Sequence, residues 1–583
     1  LTLPSGAAFL LDTYTGAAVA YSTRRLASAT TVLMRVRRDT AGGTGDDDEA
    51  DVAYDTNNEL SLDSAISNAS AGVTATTLGQ FLNVGTVNGT TYTNPDSLTV
   101  TASCFVNEWK DQAGSNDATQ ATHASQPQIH SGTANTDLIK ENGKPALDFD
   151  GSNDFLRYDA TNLSIVDGSF YNSTVFAFDA ANIYGVWNNS YTQNINVRIV
   201  MFADGRSSSF LLFMDRTGVQ SFLTYGTQQS TGQRMQTVDG VLSSGTQTTT
   251  GYHNGTQIDS FTYTEVSHDA LNSLEFGRQF NTSYLNGRIQ ESIFYDTSQA
   301  SNRTAIEENI NSNYLIYQPT DTPTSGLLAT YSGAAAAYSV RQLANTAVLA
   351  MRIRRDGDDE ETNIGFDENG DLDTTAISDF CGSDNGYVVT WYDQSTNGSH
   401  ATQGTAGRQP QIYNGTAVIT ENGKPAIEFT ADCLANSHAR TVTAYTAYVV
   451  GTYSASGGTT RILTNSPGAD YNKFVALYAL NNTTVNTYTD GNNVAAVTTS
   501  INTQLLLNFE HTGSVLTNYA NGSAGTPYND AAFSFSIPGD SLGNDSGQQF
   551  SGKAQELVIY DSDQSSNRTG IETDLNTYFS IYT

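Results

Sequence analysis

The stretch GAAVAYSTRRLA at residues 16–27 returns at 333–344 as GAAAAYSVRQLA, with nine of twelve positions identical. The echo continues in the same order. MRVRRD (34–39) returns as MRIRRD (351–356), WKDQ (109–112) as WYDQ (391–394), and QPQI (126–129) at 409–412. ENGKPA (141–146) returns at 421–426, and SNRT (301–304) at 566–569. Spacings of 317, 282 and 265 positions separate Tyr14 from Tyr331, Trp109 from Trp391 and Glu291 from Glu556. Solenoid units run to tens of residues, so this is a duplicated domain. What the fold requires should stand in both copies.

The shrinking spacings locate the differences. Copy 1 carries about 35 extra residues between the first two landmarks and about 17 between the last two. The first excess falls mainly in the Thr/Asn/Gly-rich stretch 64–103, expected as an inserted loop or hairpin. The copies are expected to span 1–318 and 327–583. Between them PTDTPTSG (319–326), with two prolines, reads as a short stiff linker.

Composition narrows the class. The 583 residues suffice for two domains with cores of their own. Hydrophobic content of 38%, with 31 Tyr, 25 Phe and 50 Gly, suits a β-rich chain with many turns. A net charge of −33 excludes a phosphate-tracking surface and disfavours anionic membranes, while suiting divalent cations or salty surroundings. No apolar run is long enough to span a bilayer as a helix. Because the chain starts at Leu1, an upstream segment is expected to have been removed or to lie outside it.

Most segments alternate with period two. Met351 and Ile353 face one way in MRIRR, Leu147 and Phe149 in PALDFD, and Ile427 and Phe429 in PAIEF. Asn-Gly turns at 142–143, 286–287, 369–370 and 422–423 separate such runs. GAAVAYSTRRL is compatible with a short helix near each domain start. Near each domain end Ile306, Ile310 and Tyr314, and again Ile571 and Leu575, sit four apart, behind Thr304-x-x-Glu307 and Thr569-x-x-Glu572 capping boxes. Many short strands with one terminal helix per copy predict an all-β chain of two sandwiches.

The ordered string AYS-x-R-x-L, RxRR, W-x-DQ, QPxI, NGKPA and a terminal E…YD…SNRT…IE resembles the concanavalin A-like modules of tailed-phage virion proteins. It is also similar, more distantly, to the catalytic sandwich of the B-type α-L-arabinofuranosidases. The resemblance implies two tandem jelly-roll β-sandwiches, each with a short C-terminal helix. It also implies a place on a virion surface after synthesis in a host cytoplasm, as a fibre, spike or capsid decoration. Expected partners are other virion proteins, further copies of this chain and a host-surface glycan or receptor. A glycoside hydrolase and a secreted bacterial lectin-like adhesin are the alternatives.

A retaining glycosidase needs two flanking carboxyls. By the arabinofuranosidase resemblance the nucleophile place falls on Arg216 in copy 1 and on the carboxylate-free YALNN (478–482) in copy 2. The acid/base place falls on GRQFN (277–281) and on GNDS (543–546), whose Asp545 is the one carboxylate. No catalytic residue is therefore assigned. The family's Cys-x4-Cys pair survives as Cys381 alone in copy 2 and Cys104 alone in copy 1. With Cys433, these are expected to stay reduced.

Other candidates rest on residue type. Asp111/Asp393 and Glu291/Glu556 recur in both copies, either as an acid–base pair or as structural groups. In the structural case the Asp binds turn amides and the Glu pairs with Arg35/Arg352 or Arg38/Arg355. Trp109 and Trp391 read as core. Trp187, with no counterpart in copy 2, stands in YGVWNNSY with Tyr184 and Tyr191 and reads either as a platform for a sugar ring or another protein or as local packing. The absence of clustered His, CxxC or phosphate loops argues against zinc and nucleotide cofactors. No cofactor is expected; the acidic stretches 46–51 and 367–373 read either as solvated loop acids or as calcium sites, with Asp367, Asn369, Asp371 and Asp373 the first candidates.

Overall fold

A computed structural model describes residues 9–159, 168–179, 183–188, 197–204, 210–216, 219–224, 231–264, 273–279, 283–453, 460–464, 474–481, 483–489, 492–500, 502–530, 535–543 and 550–583. The chain is all-β with a few short helices, and it divides into two compact units, Leu1–Ile316 and Tyr317–Thr583.

Each unit is organised on one long strand, Asn286–Tyr295 in the first and Phe550–Tyr560 in the second. On one side lies Phe170–Phe178, or Tyr445–Tyr453, antiparallel over its whole length. On the other side two shorter strands follow each other. Leu147–Asp150 and Ala17–Ser22 fill these places in the first unit, Ile427–Asp432 and Ala334–Ser339 in the second. A facing layer is built on Met34–Asp39 between Glu49–Val52 and Ser103–Trp109. Its counterpart is Met351–Arg355 between Glu361–Ile364 and Asn385–Trp391. Alternating side chains from both layers form one buried core per unit.

The long strands share a β-bulge. The register skips Gln290 between Val175 and Phe176, and Gln555 between Val450 and Gly451. Freed from the alternation, each glutamine turns its amide to the ENGKPA hairpin. Gln290 Nε2 donates to the carbonyls of Glu141, Lys144 and Pro145, and Gln555 Nε2 to those of Glu421, Lys424 and Pro425. The same hairpins hold the terminal helices. Asn142 Nδ2 bonds the carbonyls of Tyr314 and Leu315, and Asn422 Nδ2 those of Phe579 and Ser580, where the helix ends expose acceptors.

Three local expectations are corrected. The Ala-rich start of each repeat is a strand: Val19 and Tyr21 enter the core, and the backbone pairs with the long strand, which outweighs alanine's helix preference. The terminal helices begin at Arg303 and Arg568, so Thr304 and Thr569 lie inside the first turn. Glu307 and Glu572 pair with those arginines rather than closing a capping box. The extra residues of copy 1 include the expected hairpin, Gly85–Val87 with Thr90–Tyr92, but they also flank a helix the sequence reading missed, Leu78–Leu82, the counterpart of Thr374–Cys381. Arg38 and Arg355 mark the match by bonding the carbonyls of Phe81 and Phe380, 43 and 25 positions away. Leu82 therefore stands where copy 2 has Cys381, and Gly386 pairs with Arg355 as Cys104 does with Arg38.

Candidate functional site

The carboxylates present in both copies are structural. Glu291 and Glu556 are fully buried. Glu291 Oε2 accepts from Ser22 Oγ at 2.7 Å and Arg24 Nε at 2.8 Å, while Oε1 accepts from Arg24 Nη2 at 3.0 Å. Glu556 repeats this with Ser339 at 2.7 Å and Arg341 at 2.9 and 3.1 Å. The partner arginine is thus the one in the S-x-R motif, because Ser22 and Ser339 lie directly opposite the glutamates in the ladder. Arg35 instead meets Glu49 and Asp51, and Arg352 meets Glu361.

Asp111 accepts from the backbone amides of Ala20, Ala113 and Asn116, and Asp393 from those of Ala337, Ser395 and Ser399. The neighbouring Gln112 and Gln394 each take the amide of Leu26 or Leu343 and donate to the carbonyl of Arg24 or Arg341. Trp109 and Trp391 donate to the carbonyls of Ser22 and Ser339. The repeated motifs are each other's hydrogen-bond partners.

Trp187 is buried in the core of the first unit. It is 2% exposed, packs edge-on to Phe294 at 4.9 Å and donates to Asn172 Oδ1 at 3.0 Å. No face of the indole is open. The side chain of Tyr184 and all of Tyr191 lie outside the described residues, as do Asp545 and the side chain of Arg216.

The calcium candidates are spread over separate tasks. Asp367 Oδ1 accepts the amides of Asn369 and Asp371 in a turn. Asp371 meets Lys424 and the Tyr578 hydroxyl. Asp373 caps the helix Thr374–Cys381 through the Ala376 amide. Among the described residues no group of three or more His, Cys, Asp or Glu side chains is arranged to hold a metal.

The three cysteines are buried and no disulfide joins them, and Cys433 Sγ accepts from Gln403 Nε2 at 3.0 Å. Burial raises Cys104, and raises Cys381 to about 12, which keeps both protonated.

Further polar groups gather elsewhere, most of them outside the repeated motifs. In the first unit Glu275 is fully buried between Arg278, at 2.6 Å, and the Asn188 amide, at 3.1 Å; the Arg278 guanidinium lies 3.4 Å from the centre of the Phe155 ring. In the second unit Arg440 joins Asp540 at 2.7 Å and Asp561 at 2.6 Å. Asn436 donates to the Tyr338 hydroxyl at 2.8 Å, and Tyr445 donates to Asp540 at 3.1 Å. Burial opposes the Arg440 charge, but Asp540 and Asp561 outweigh it and raise its pKa. This buried cluster backs an open groove of about 590 Å³ lined by Ser332, Ser395, Asn397, His438 and Asp561 beside Leu328 and Ala329. His438 Nδ1 lies 2.9 Å from Ser399 Oγ. The groove therefore offers carboxylate, amide, imidazole and hydroxyl groups. Sequence reading missed it because Asp561 and Ser395 stand in or beside repeated motifs that read as framework, while Asn397, His438 and Arg440 stand in none.

No protein-family model and no curated protein matches the chain. Among solved structures it is similar to an arabinofuranosidase complexed with arabinofuranosyl-α-1,2-xylobiose, at 14% identity and a TM-score of 0.34, covering 67% of this chain and 81% of that one. It is also similar to the CBM40 of Ruminococcus gnavus IT-sialidase (9% identity, TM-score 0.22, 27% and 94% covered). A third is domain 4 of AbnA, a GH43 extracellular arabinanase from Geobacillus stearothermophilus, in complex with arabinotriose (13%, 0.22, 36% and 89%).

Proposed function

We propose that this chain is a tandem β-sandwich protein that binds carbohydrate without hydrolysing it, with the groove of the second unit as a sugar-binding face. The observation that carries the reading is the locking of the repeated carboxylates. Glu291/Glu556 and Asp111/Asp393 are saturated by arginine, serine and backbone amides, so the duplicated machinery serves the fold. What stays open to a ligand is the mixed polar lining of the groove, whose donors and acceptors suit neutral sugar hydroxyls. Two modules on one chain, and several chains on one particle, would multiply a weak single-site affinity.

The motif resemblance supports a place on the exterior of a tailed-phage particle, among other virion proteins and facing a host glycan. Capsid, portal or tail genes beside this one are the expected genomic setting. The binding reading is tested with purified protein on a glycan array and a polysaccharide panel, alongside aryl arabinofuranosides. Retention on a glycan, weakened at least tenfold by Asn397→Ala or Asp561→Asn, is expected. Sustained hydrolysis, abolished by Asp545→Asn or Glu275→Gln, would replace this reading with the glycosidase.

A further inference from the structure

Beneath each terminal helix the structure repeats an arrangement in which the SNRT…IE motif supplies the arginine and one carboxyl, and the sheet supplies the other. In the second unit two carboxyls share one guanidinium. Arg568 Nη1 lies 2.8 Å from Glu572 Oε2, and Arg568 Nε 3.9 Å from Glu510 Oε2. The two glutamate side chains are only 5% and 6% exposed. Tyr519 lies under the guanidinium at 4.2 Å and donates to Glu510 Oε1 at 3.4 Å. Three oxygens here, Tyr448 Oη, Glu510 Oε2 and Glu572 Oε1, are buried without a hydrogen-bond partner.

The first unit holds the same set at matching positions. Asp239 faces Tyr171 across the ladder as Glu510 faces Thr446. Arg303 stacks on Tyr252 at 4.0 Å and pairs with Glu307, whose Oε1 is again buried without a hydrogen-bond partner. Asp239 is held by Ser298 and the Gln299 amide.

Two ionised carboxyls against one guanidinium would leave a surplus negative charge in a desolvated site, an expensive condition. A proton removes the surplus and turns one orphan acceptor into a donor for another. We propose that each terminal helix is latched to its sheet by a carboxyl pair that holds one proton at neutral pH, so that docking of the helix is a proton-binding equilibrium. The duplication supplies an internal replicate, since the positions are kept while Asp239, held by Ser298 and the Gln299 amide, takes the place of Glu510.

The electrostatics agree. Burial pushes Glu307 up to about 7 against the pull of Arg303, and burial likewise raises Glu572, Glu510 and Asp239. The other groups facing the first site are Glu308 of the same helix and the phenols Tyr171, Tyr252 and Tyr295 of the sheet. In the second site they are Asp563 of the preceding turn and the phenols Tyr448, Tyr519, Tyr560 and Tyr582. Among the described residues these neighbours are acids or phenols, so each arginine is the sole cation of its latch. A carboxyl with a raised folded pKa stabilises fully below its unfolded value. That stability is lost as pH rises, here through about 7 for Glu307.

The test is thermal unfolding of the full chain at pH 5 and pH 8, for the wild type, Glu307→Gln, Glu572→Gln and the double variant. Between the two pH values the wild type should lose about 5 °C more in Tm than the double variant. At pH 8 the variants should equal or exceed it. Variants that are less stable than wild type by the same margin at both pH values would overturn the proposal. Infrared spectroscopy gives an independent reading. The protonated-carboxyl band at pH 7 should be weaker in each single variant than in the wild type and weakest in the double variant, where Asp154, raised by burial to about 7, still contributes. A band of equal strength in the wild type and the double variant would also overturn the proposal.

Discussion

At matching strand positions the first unit carries Asn172, Thr174, Trp187 and Ser292, and the second carries Ala447, Val449, Leu463 and Leu557. All eight are buried. In the first unit they form a closed polar chain. Trp187 Nε1 and Thr174 Oγ1 donate to Asn172 Oδ1 at 3.0 and 3.1 Å, Asn172 Nδ2 donates to the Ile293 carbonyl at 3.0 Å, and Thr174 Oγ1 lies 2.8 Å from Ser292 Oγ. In the second unit the same space is hydrocarbon. The motifs that survived duplication are those that clasp one strand to another through exclusive hydrogen bonds. The filling between them changed, provided volume and polar satisfaction changed together.

The largest expected effect should be equal in the two units. Glu291→Ala and Glu556→Ala each strand a buried guanidinium and should cost about 3–5 kcal/mol, read as a lowered midpoint in denaturant titrations. A unit that tolerated the loss would show that the clasps have diverged too.

The polar chain should distinguish the units. Trp187→Leu alone should cost about 3 kcal/mol, from the lost volume and an Asn172 oxygen deprived of the indole donor. Adding Asn172→Ala, Thr174→Val and Ser292→Leu, to copy the second unit, should recover at least about 1 kcal/mol. Strict additivity of the four changes would mean that the chain is not a unit.

Cross-linking should give a smaller, graded difference. A Cβ at Gly386 would lie 2.7 Å from Cys381 Sγ, close to the separation across a disulfide. Gly386→Cys should therefore bridge on oxidation and gain about 2 kcal/mol over its reduced form. Leu82→Cys should bridge to Cys104, close a longer loop and gain about 3 kcal/mol by the same comparison. Non-reducing electrophoresis and the Tm difference with and without reductant report both. Free thiols in oxidised Leu82→Cys would undo the match between Leu82 and Cys381.

Much of the framework was legible in the sequence because a duplication marks what backbone pairing needs. Period-two runs such as MRIRR and PALDFD gave strands, and Ile306, Ile310 and Tyr314 gave a helix that buries that face. The local misreadings share a cause. GAAVAYS has no intrinsic strand preference and becomes a strand only because Glu291–Tyr295 lies beside it. Leu78–Leu82 is too short to show a helical period and is fixed by its Thr77 cap and the Arg38 bond to Phe81.

The sites were less legible. Trp187 looked available to a ligand because its neighbours in sequence are polar. Its neighbours in space are Phe294 and Asn172, from strands more than ten residues away in the chain. The same holds for Glu572 with Glu510, and for Arg440 with Asp540. Sequence by itself determined the strand-rich duplicated frame, because alternation and repetition act through near neighbours and backbone pairing. Only the tertiary structure decided which carboxylates are spent on the fold, which aromatic ring is buried and which charges share a site. Burial and charge pairing act through space, and distance along the chain does not encode them.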